Sequence, residues 1–169
     1  HVILYVRDPE KAKRIAKERI SAGQKLHNQV EITNVLEEVP QQCEVIFPMI
    51  PSANFRDMII KLSQHLRPYH VLIHGTKGFD LFVPKKQKIS KDNPLTREHV
   101  KTISEVIKEE TSVLRVGCLA GPNLAREIDQ RKPAATVVAS HFDEVFKIGQ
   151  RLLKNDRFMI YGSPDLIGI

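Results

Sequence analysis

The sequence predicts an α/β domain, a mostly parallel sheet with helices on both faces. Three observations predict it. Short runs rich in Val and Ile alternate with stretches of helical period. The first run, Val2 to Val6, is apolar throughout, as strands buried on both faces are. Helix-start residues then follow strand ends repeatedly, which is the order of βαβ units. A length of 169 residues suits one domain whose core needs neither disulfides nor metals.

The elements follow in order. Asp8-Pro9 supplies an N-cap and a first helical proline. Ala12, Ile15, Ala16 and Ile20 then recur at helical spacing. Glu31 to Thr33 reads as a short strand, and Asn34 with Glu37 has capping-box spacing into a short helix. Cys43 to Ile50 reads as a strand broken by Pro48. Ser52 is expected to cap a helix with Phe55, Ile59, Leu62 and Leu66 on its apolar face. His70 to His74 is the next strand, ending in Gly75-Thr76-Lys77-Gly78. Residues 81–95, with prolines and many lysines, are expected to form an exposed excursion with little regular structure. Thr96 is expected to cap a helix bearing Val100, Ile103, Val106 and Ile107. Val113 to Cys118 is a strand, and Gly121-Pro122-Asn123 turns into a helix that ends before Pro133. Thr136 to Ala139 is a strand, Ser140 is expected to cap a helix reaching Leu153, and Phe158 to Tyr161 is the last strand. In sheets of this kind ligands sit at the carboxyl ends of the strands.

Composition narrows the function classes. Apolar residues at 41% and charged residues at 27% exclude disorder, collagen and coiled coil. No apolar run is long enough to predict a membrane span. The 26 basic against 20 acidic side chains leave a net charge of +6. The excess is spread over Lys11 to Arg19, Lys85 to Lys91 and Lys147 to Lys154, with no interleaved aromatics. A solvated face is the better reading of most of these charges, with a preference for anionic small molecules also open, and no nucleic-acid partner is expected. Cys43 and Cys118 lie far apart with no CxxC, which predicts a reduced, cytoplasmic setting. The sequence opens on His1 rather than Met and runs straight into an apolar strand, so an N-terminal piece is expected to precede it.

Several chemical signatures are absent. There is no G-x-G-x-x-G, no Walker A motif and no HExxH. His70 and His74 are four apart on a strand, too far for one metal, so no metal site is predicted. Three positions remain. Lys77 sits between glycines after a strand, where it could meet a phosphate or be a solvent-facing turn residue. Gly121 to Ala125 joins a strand to a helix, either as an anion site or as an ordinary helix start. Arg7 ends the first strand, where it could stack on adenine, meet a 2′-phosphate, or simply be exposed.

Taken together, LYVRDPE, Pro51-Ser52, HGTKGFD, LAGPNLAREI, KPAATVVAS and FMIYGSPDLIGI resemble the NAD(P)-dependent glycerol-3-phosphate dehydrogenases in order and spacing. The likeness covers almost the whole chain except residues 81–95, which resemble an insertion. It implies a Rossmann-like parallel sheet lacking its first βα unit, with residues 1–169 a partial NAD(P)-binding domain. It implies cofactor contacts at Arg7, Lys77 and Ala125, and substrate contacts at Lys77, Gly121 and Asn123. The cofactor would be NAD or NADP and the substrate a small phosphorylated three-carbon molecule, with a homodimer open to the full-length enzyme. The family's glycine fingerprint is expected to lie before His1. Its acid–base lysine and helical substrate domain are expected after Ile169, so no catalytic residue is assigned here and the segment alone is expected to be inactive. Two readings compete: another Rossmann enzyme such as a ketopantoate-reductase-like protein, or a non-catalytic basic nucleotide-binding module. Whatever the reading, Lys77, Gly121 and Asn123 are expected at one cleft.

Overall fold

The computed structural model describes residues 1–83, 89–90 and 94–169. Strand β1 (Val2–Tyr5) leads into α1 (Pro9–Glu18). Asp8 caps that helix, its carboxylate accepting from the Lys11 amide at 2.9 Å. The helix stops at Arg19, which adopts φ 57°. Ile20 therefore leaves the helical period and joins β2 (Ile20–Ser21), paired with β3 (Gln24–Lys25). Strand β4 (Val30–Thr33) lies parallel to β1.

The cap expected at Asn34 is replaced by Thr33, whose hydroxyl accepts from the Val35 amide at 2.9 Å and donates to Glu38 at 2.5 Å. Helix α2 (Glu38–Gln42) begins one turn later with no side-chain cap. Strand β5 is only Val45–Ile46, because Pro48 cannot extend a ladder. Ser52 starts a 3-10 turn over Ser52–Asn54 and caps nothing, and α3 (Phe55–Ser63) follows.

Strand β6 (Val71–His74) is buried at every position. Strand β7 (Phe79–Leu81) pairs antiparallel with β8 (Val100–Thr102). The helix expected from Thr96 is thus divided. Thr96 closes a short turn on the His99 ring, β-branched Val100 and Thr102 join a strand, and α4 (Ile103–Glu110) starts from a capping box of Thr102 and Glu105. The remaining elements are β9 (Arg115–Ala120), α5 (Ala125–Asp129), β10 (Ala134–Ala139), α6 (Asp143–Leu153) and β11 (Phe158–Ser163). Ser140 does not sit at the α6 cap: its hydroxyl accepts from Phe142 at 3.2 Å and donates to Val116 at 2.7 Å.

Five strands form one sheet in the order β11-β10-β9-β6-β5, while β1 and β4 form a separate parallel pair. All ladders in the five-stranded sheet are parallel except β9–β10. The connection from Gly121 to Pro133 holds only the five-residue α5, where parallel crossovers usually carry a longer helix that covers a sheet face, and β10 pairs antiparallel with β9. Among the described residues, β1 and β4 in the pair and β5 and β11 in the larger sheet each keep one unpaired edge.

Strand alternation assigns the core to two faces. Leu72 and Val116 point to one side, against Phe55, Ile59 and Leu62 of α3 and Val106 and Ile107 of α4. Ile3 and Tyr5 of β1 pack against the same cluster. Val71 and Ile73 point to the other side, against Val145 of α6. Helices therefore cover both faces, as the alternation of periods predicts.

The β7–β8 hairpin has its polar side inward. Arg56 of α3 donates to Asp80 at 2.8 Å and to Glu109 at 3.0 Å, and also pairs with Glu110. Lys101 meets Glu109 at 2.7 Å. Partial burial works against the Arg56 charge, but these carboxylates outweigh it and raise its pKa above the ordinary value. Phe79 and Leu81 face outward, and the Phe82 ring lies 5.4 Å from the guanidinium. Within 81–95, Leu81 belongs to β7, while Phe82, Ile89 and Leu95 are exposed. Residues 84–88 and 91–93 lie outside the described residues. No helix among the described residues is long and apolar enough to cross a membrane.

Candidate functional site

Neighbouring strands β6 and β9 run parallel, with His74 opposite Cys118. Their following segments, Gly75 to Gly78 and Gly121 to Asn123, therefore leave the sheet at the same carboxyl end. The antiparallel β10 brings Ala134 to Thr136 back to that end. There a cavity of about 330 Å³ opens, lined among others by Gly121, Asn123, Leu124, Glu127, Thr136 and Tyr161.

Gly121 is needed for space rather than for an unusual φ. A Cβ on it would stand 2.8 Å from Asn123 Nδ2, 2.9 Å from Thr136 Oγ1 and 3.1 Å from the Ala135 carbonyl. The Thr136 hydroxyl is held there by donating to the Ala120 carbonyl at 2.8 Å. Gly121→Ala should accordingly cost about 1–2 kcal/mol of stability through overpacking, read from urea unfolding; an unchanged midpoint would show that the wall yields freely.

The five candidate residues separate into groups. Gly121 and Asn123 line the cavity together. Lys77 is exposed on the neighbouring loop at the same end and is not part of the lining. Ala125 is the exposed first residue of α5, a helix of five residues, so the Gly121 to Asn123 backbone precedes the helix rather than forming its start. Arg7 is exposed after β1, in the separate two-stranded sheet. Among the lining side chains, the polar ones that escaped the reading of the sequence are Glu127, Thr136 and Tyr161. Thr136, a lone hydroxyl inside an apolar strand run, was the one available signal.

The loop bearing Lys77 is held from outside. Thr76 donates to the Ile50 carbonyl at 2.8 Å. Gly78 adopts φ +99°, a left-handed conformation that favours glycine. At its start His74 is buried, with Nε2 2.7 Å from Ser104 Oγ and the Phe55 ring 6.1 Å away edge-on. Burial lowers the His74 pKa to about 4, with a weaker pull upward from the Thr76 backbone, so the ring is neutral at pH 7. The unfolded chain, with an ordinary value of 6.5, binds this proton first as pH falls. The His74 contribution is thus complete above pH 6.5 and about 3 kcal/mol is lost as pH drops toward 4. Urea midpoints measured between pH 7 and 4 should fall over this window, and less so in His74→Gln.

His70 plays a different part. Its Nδ1 accepts from the Arg67 amide at 2.7 Å, and its Nε2 donates to the Pro40 carbonyl at 2.9 Å, tying the β6 entry to α2. Among the described residues no group of three His, Cys, Asp or Glu side chains could hold a metal. Burial raises the thiol pKa of Cys43 and of Cys118, which leaves both as poor nucleophiles.

A family model described as the NAD-dependent glycerol-3-phosphate dehydrogenase N-terminus matches residues 1–146. The chain belongs to this family. The matched region contains all five candidate residues. Among curated proteins, the glycerol-3-phosphate dehydrogenase [NAD(P)+] of Saccharophagus degradans is 29% identical over 98% of this chain and 43% of its own length. That of Pseudomonas aeruginosa strain LESB58 is 32% identical over 98% of this chain and 45% of its own length. The crystal structure of glycerol-3-phosphate dehydrogenase from Coxiella burnetii superposes with a TM-score of 0.78 at 21% identity, covering 99% of this chain and 47% of that one. The chain thus spans less than half the length of these dehydrogenases. The superposition extends the Rossmann-type α/β fold across the chain.

Proposed function

We propose that this chain is part of the NAD(P)-binding domain of an enzyme that interconverts sn-glycerol 3-phosphate and dihydroxyacetone phosphate. The single observation that carries the reading is the meeting of Gly121 and Asn123 in one cavity, beside the loop of Lys77, at the carboxyl end of β6 and β9. A cavity of about 330 Å³ takes a small molecule or one portion of a dinucleotide. Its lining holds one carboxylate, Glu127, and no cation, so the neighbouring Lys77 would receive the anionic part of a ligand.

At Gly121 the wall is closed by Asn123 and Thr136 packed against a bare backbone, and the residues present fit a nicotinamide cofactor to the extent that the cavity beside them admits one portion of it. Arg7, Lys77 and Ala125 would hold NAD or NADP, which supplies the hydride chemistry when bound. Gly121 and Asn123 would meet the three-carbon substrate, with the Asn123 amide free to accept from or donate to a hydroxyl. Lys77 would neutralise and orient the phosphate. No residue of the 169 is assigned the proton transfer. The stretch 81–95 would be an insertion outside this machinery. The same reading places the enzyme in the cytoplasm, in the supply of glycerophospholipid precursors, and allows a homodimer.

The test follows NADH absorbance with dihydroxyacetone phosphate, using the complete gene product and the 169-residue chain side by side. Turnover by the complete product with at least a tenfold preference over 2-keto acids supports the reading. Turnover only with 2-keto acids, or salt-dependent retention on DNA without nicotinamide binding, would replace it with one of its competitors.

A further inference from the structure

An imidazole in β6 is out of keeping with its surroundings. Every residue of that strand is buried, and a polar ring placed there needs partners. His74 has one, the buried hydroxyl of Ser104 at 2.7 Å, while its Nδ1 makes no hydrogen bond of regular geometry among the described residues and feels the Thr76 backbone only weakly. Ser104 is the second residue of α4, inside the first turn closed by Thr102 and Glu105, whose reciprocal bonds measure 2.6 and 3.2 Å. The hydroxyl is therefore presented by a rigid helix start. On the other side of the bond, the strand ends at His74 and the chain turns toward Lys77, three residues on.

The rest of that loop is also tied down. Thr76 is bound to the Ile50 carbonyl, and Asp80, just past the loop, is bound to Arg56 at 2.8 Å. The backbone around Lys77 is thus fixed before it by α4, within it by the Ile50 carbonyl, and after it by α3. Lys77 itself extends into solvent with no ion-pair partner among the described residues.

We infer that Ser104 and His74 are positioning residues for Lys77: their bond sets the direction in which the chain leaves β6 and so where the ammonium stands. This inference rests on the reading of Lys77 as a phosphate contact. The leverage is short, since three residues span at most about 10 Å. A displacement of about 1 Å at a binding group can still cost on the order of a hundredfold in rate.

A double-mutant cycle on the complete gene product tests it. Ser104→Ala should lower kcat/KM for dihydroxyacetone phosphate on the order of tenfold, and Ser104→Thr should restore most of it by returning a hydroxyl. In a Lys77→Ala background the Ser104→Ala change should have no further effect. Full additivity of the two changes would overturn the inference, because a purely structural role does not act through Lys77. Amide exchange gives a readout free of activity. Peptides covering 75–79 should exchange faster in Ser104→Ala and at the native rate in Ser104→Thr. Unchanged exchange in Ser104→Ala would overturn the inference even in an active enzyme. Faster exchange in a protein inactive toward three-carbon phosphates would instead uphold the tether and defeat the substrate reading.

Discussion

Lys77→Ala in the complete gene product is expected to lower kcat/KM for dihydroxyacetone phosphate by on the order of 10- to 100-fold. The figure comes from the loss of one charge-assisted hydrogen bond to a phosphate, about 1.5–3 kcal/mol. Stability should hardly change, because the side chain is exposed and makes no described contact that folding depends on. Lys77→Arg should recover only part of the loss. Arginine keeps the charge but replaces a compact ammonium with a planar fork, on a loop whose backbone is held by Thr76 and Gly78 and cannot adjust freely. Steady-state kinetics with circular dichroism melts separate the two effects. If Lys77→Ala leaves kcat and KM both unchanged, Lys77 is a turn residue and the phosphate must be met elsewhere.

Arg56→Met is expected to have the larger effect on stability, about 2–3 kcal/mol at pH 7. Among the described residues Arg56 alone holds Asp80, Glu109 and Glu110 together, and its removal leaves three carboxylates near one another with only Lys101, on Glu109, to offset them. A fully buried pair broken in this way costs about 3–5 kcal/mol. The lower figure applies because the Glu109 side chain is 39% exposed and water screens part of the repulsion. Methionine keeps most of the volume under Phe82, so a packing loss does not confuse the result. The dependence on pH has a definite sign. Lys101 first and Arg56 second hold the Glu109 carboxyl below its ordinary value, so the native network keeps its contribution above that range and loses it as pH falls through it. The difference between native and variant midpoints should therefore shrink toward pH 4. A difference that stays constant from pH 7 to 4 would mean that packing, not charge, is what Arg56 supplies.

Much of the fold was legible because it depends on local patterns. The apolar run of β1, the Asp8-Pro9 start of α1 and the fully buried β6 all follow from composition over a few residues. So did the placement of Gly121 and Asn123 at a strand end, since a strand followed by a helix signal carries its direction with it. The caps were less legible. Ser52, Asn34 and Ser140 have the right chemistry for capping, yet the chain near each makes a tighter turn first, and the hydroxyl of Thr33 or Ser140 serves a turn amide or a distant carbonyl instead. Short polar side chains can satisfy either geometry, and sequence spacing does not choose between them.

What the sequence by itself determined is the alternation of strands and helices, the two-faced core, and the family that its motifs resemble. These rest on periodicity and on residue types at short spacing. Only the tertiary structure decided that β10 runs antiparallel to β9, that Val100 to Thr102 is a strand against β7, and that Thr136, Glu127 and Tyr161 share a cavity with Gly121. It alone also decided that His74 meets Ser104 thirty residues away. The physical reason is common to all four. Each depends on which segment is brought alongside which, and that is set by the path of connections such as Gly121 to Pro133 and by the burial of polar partners far apart in the chain.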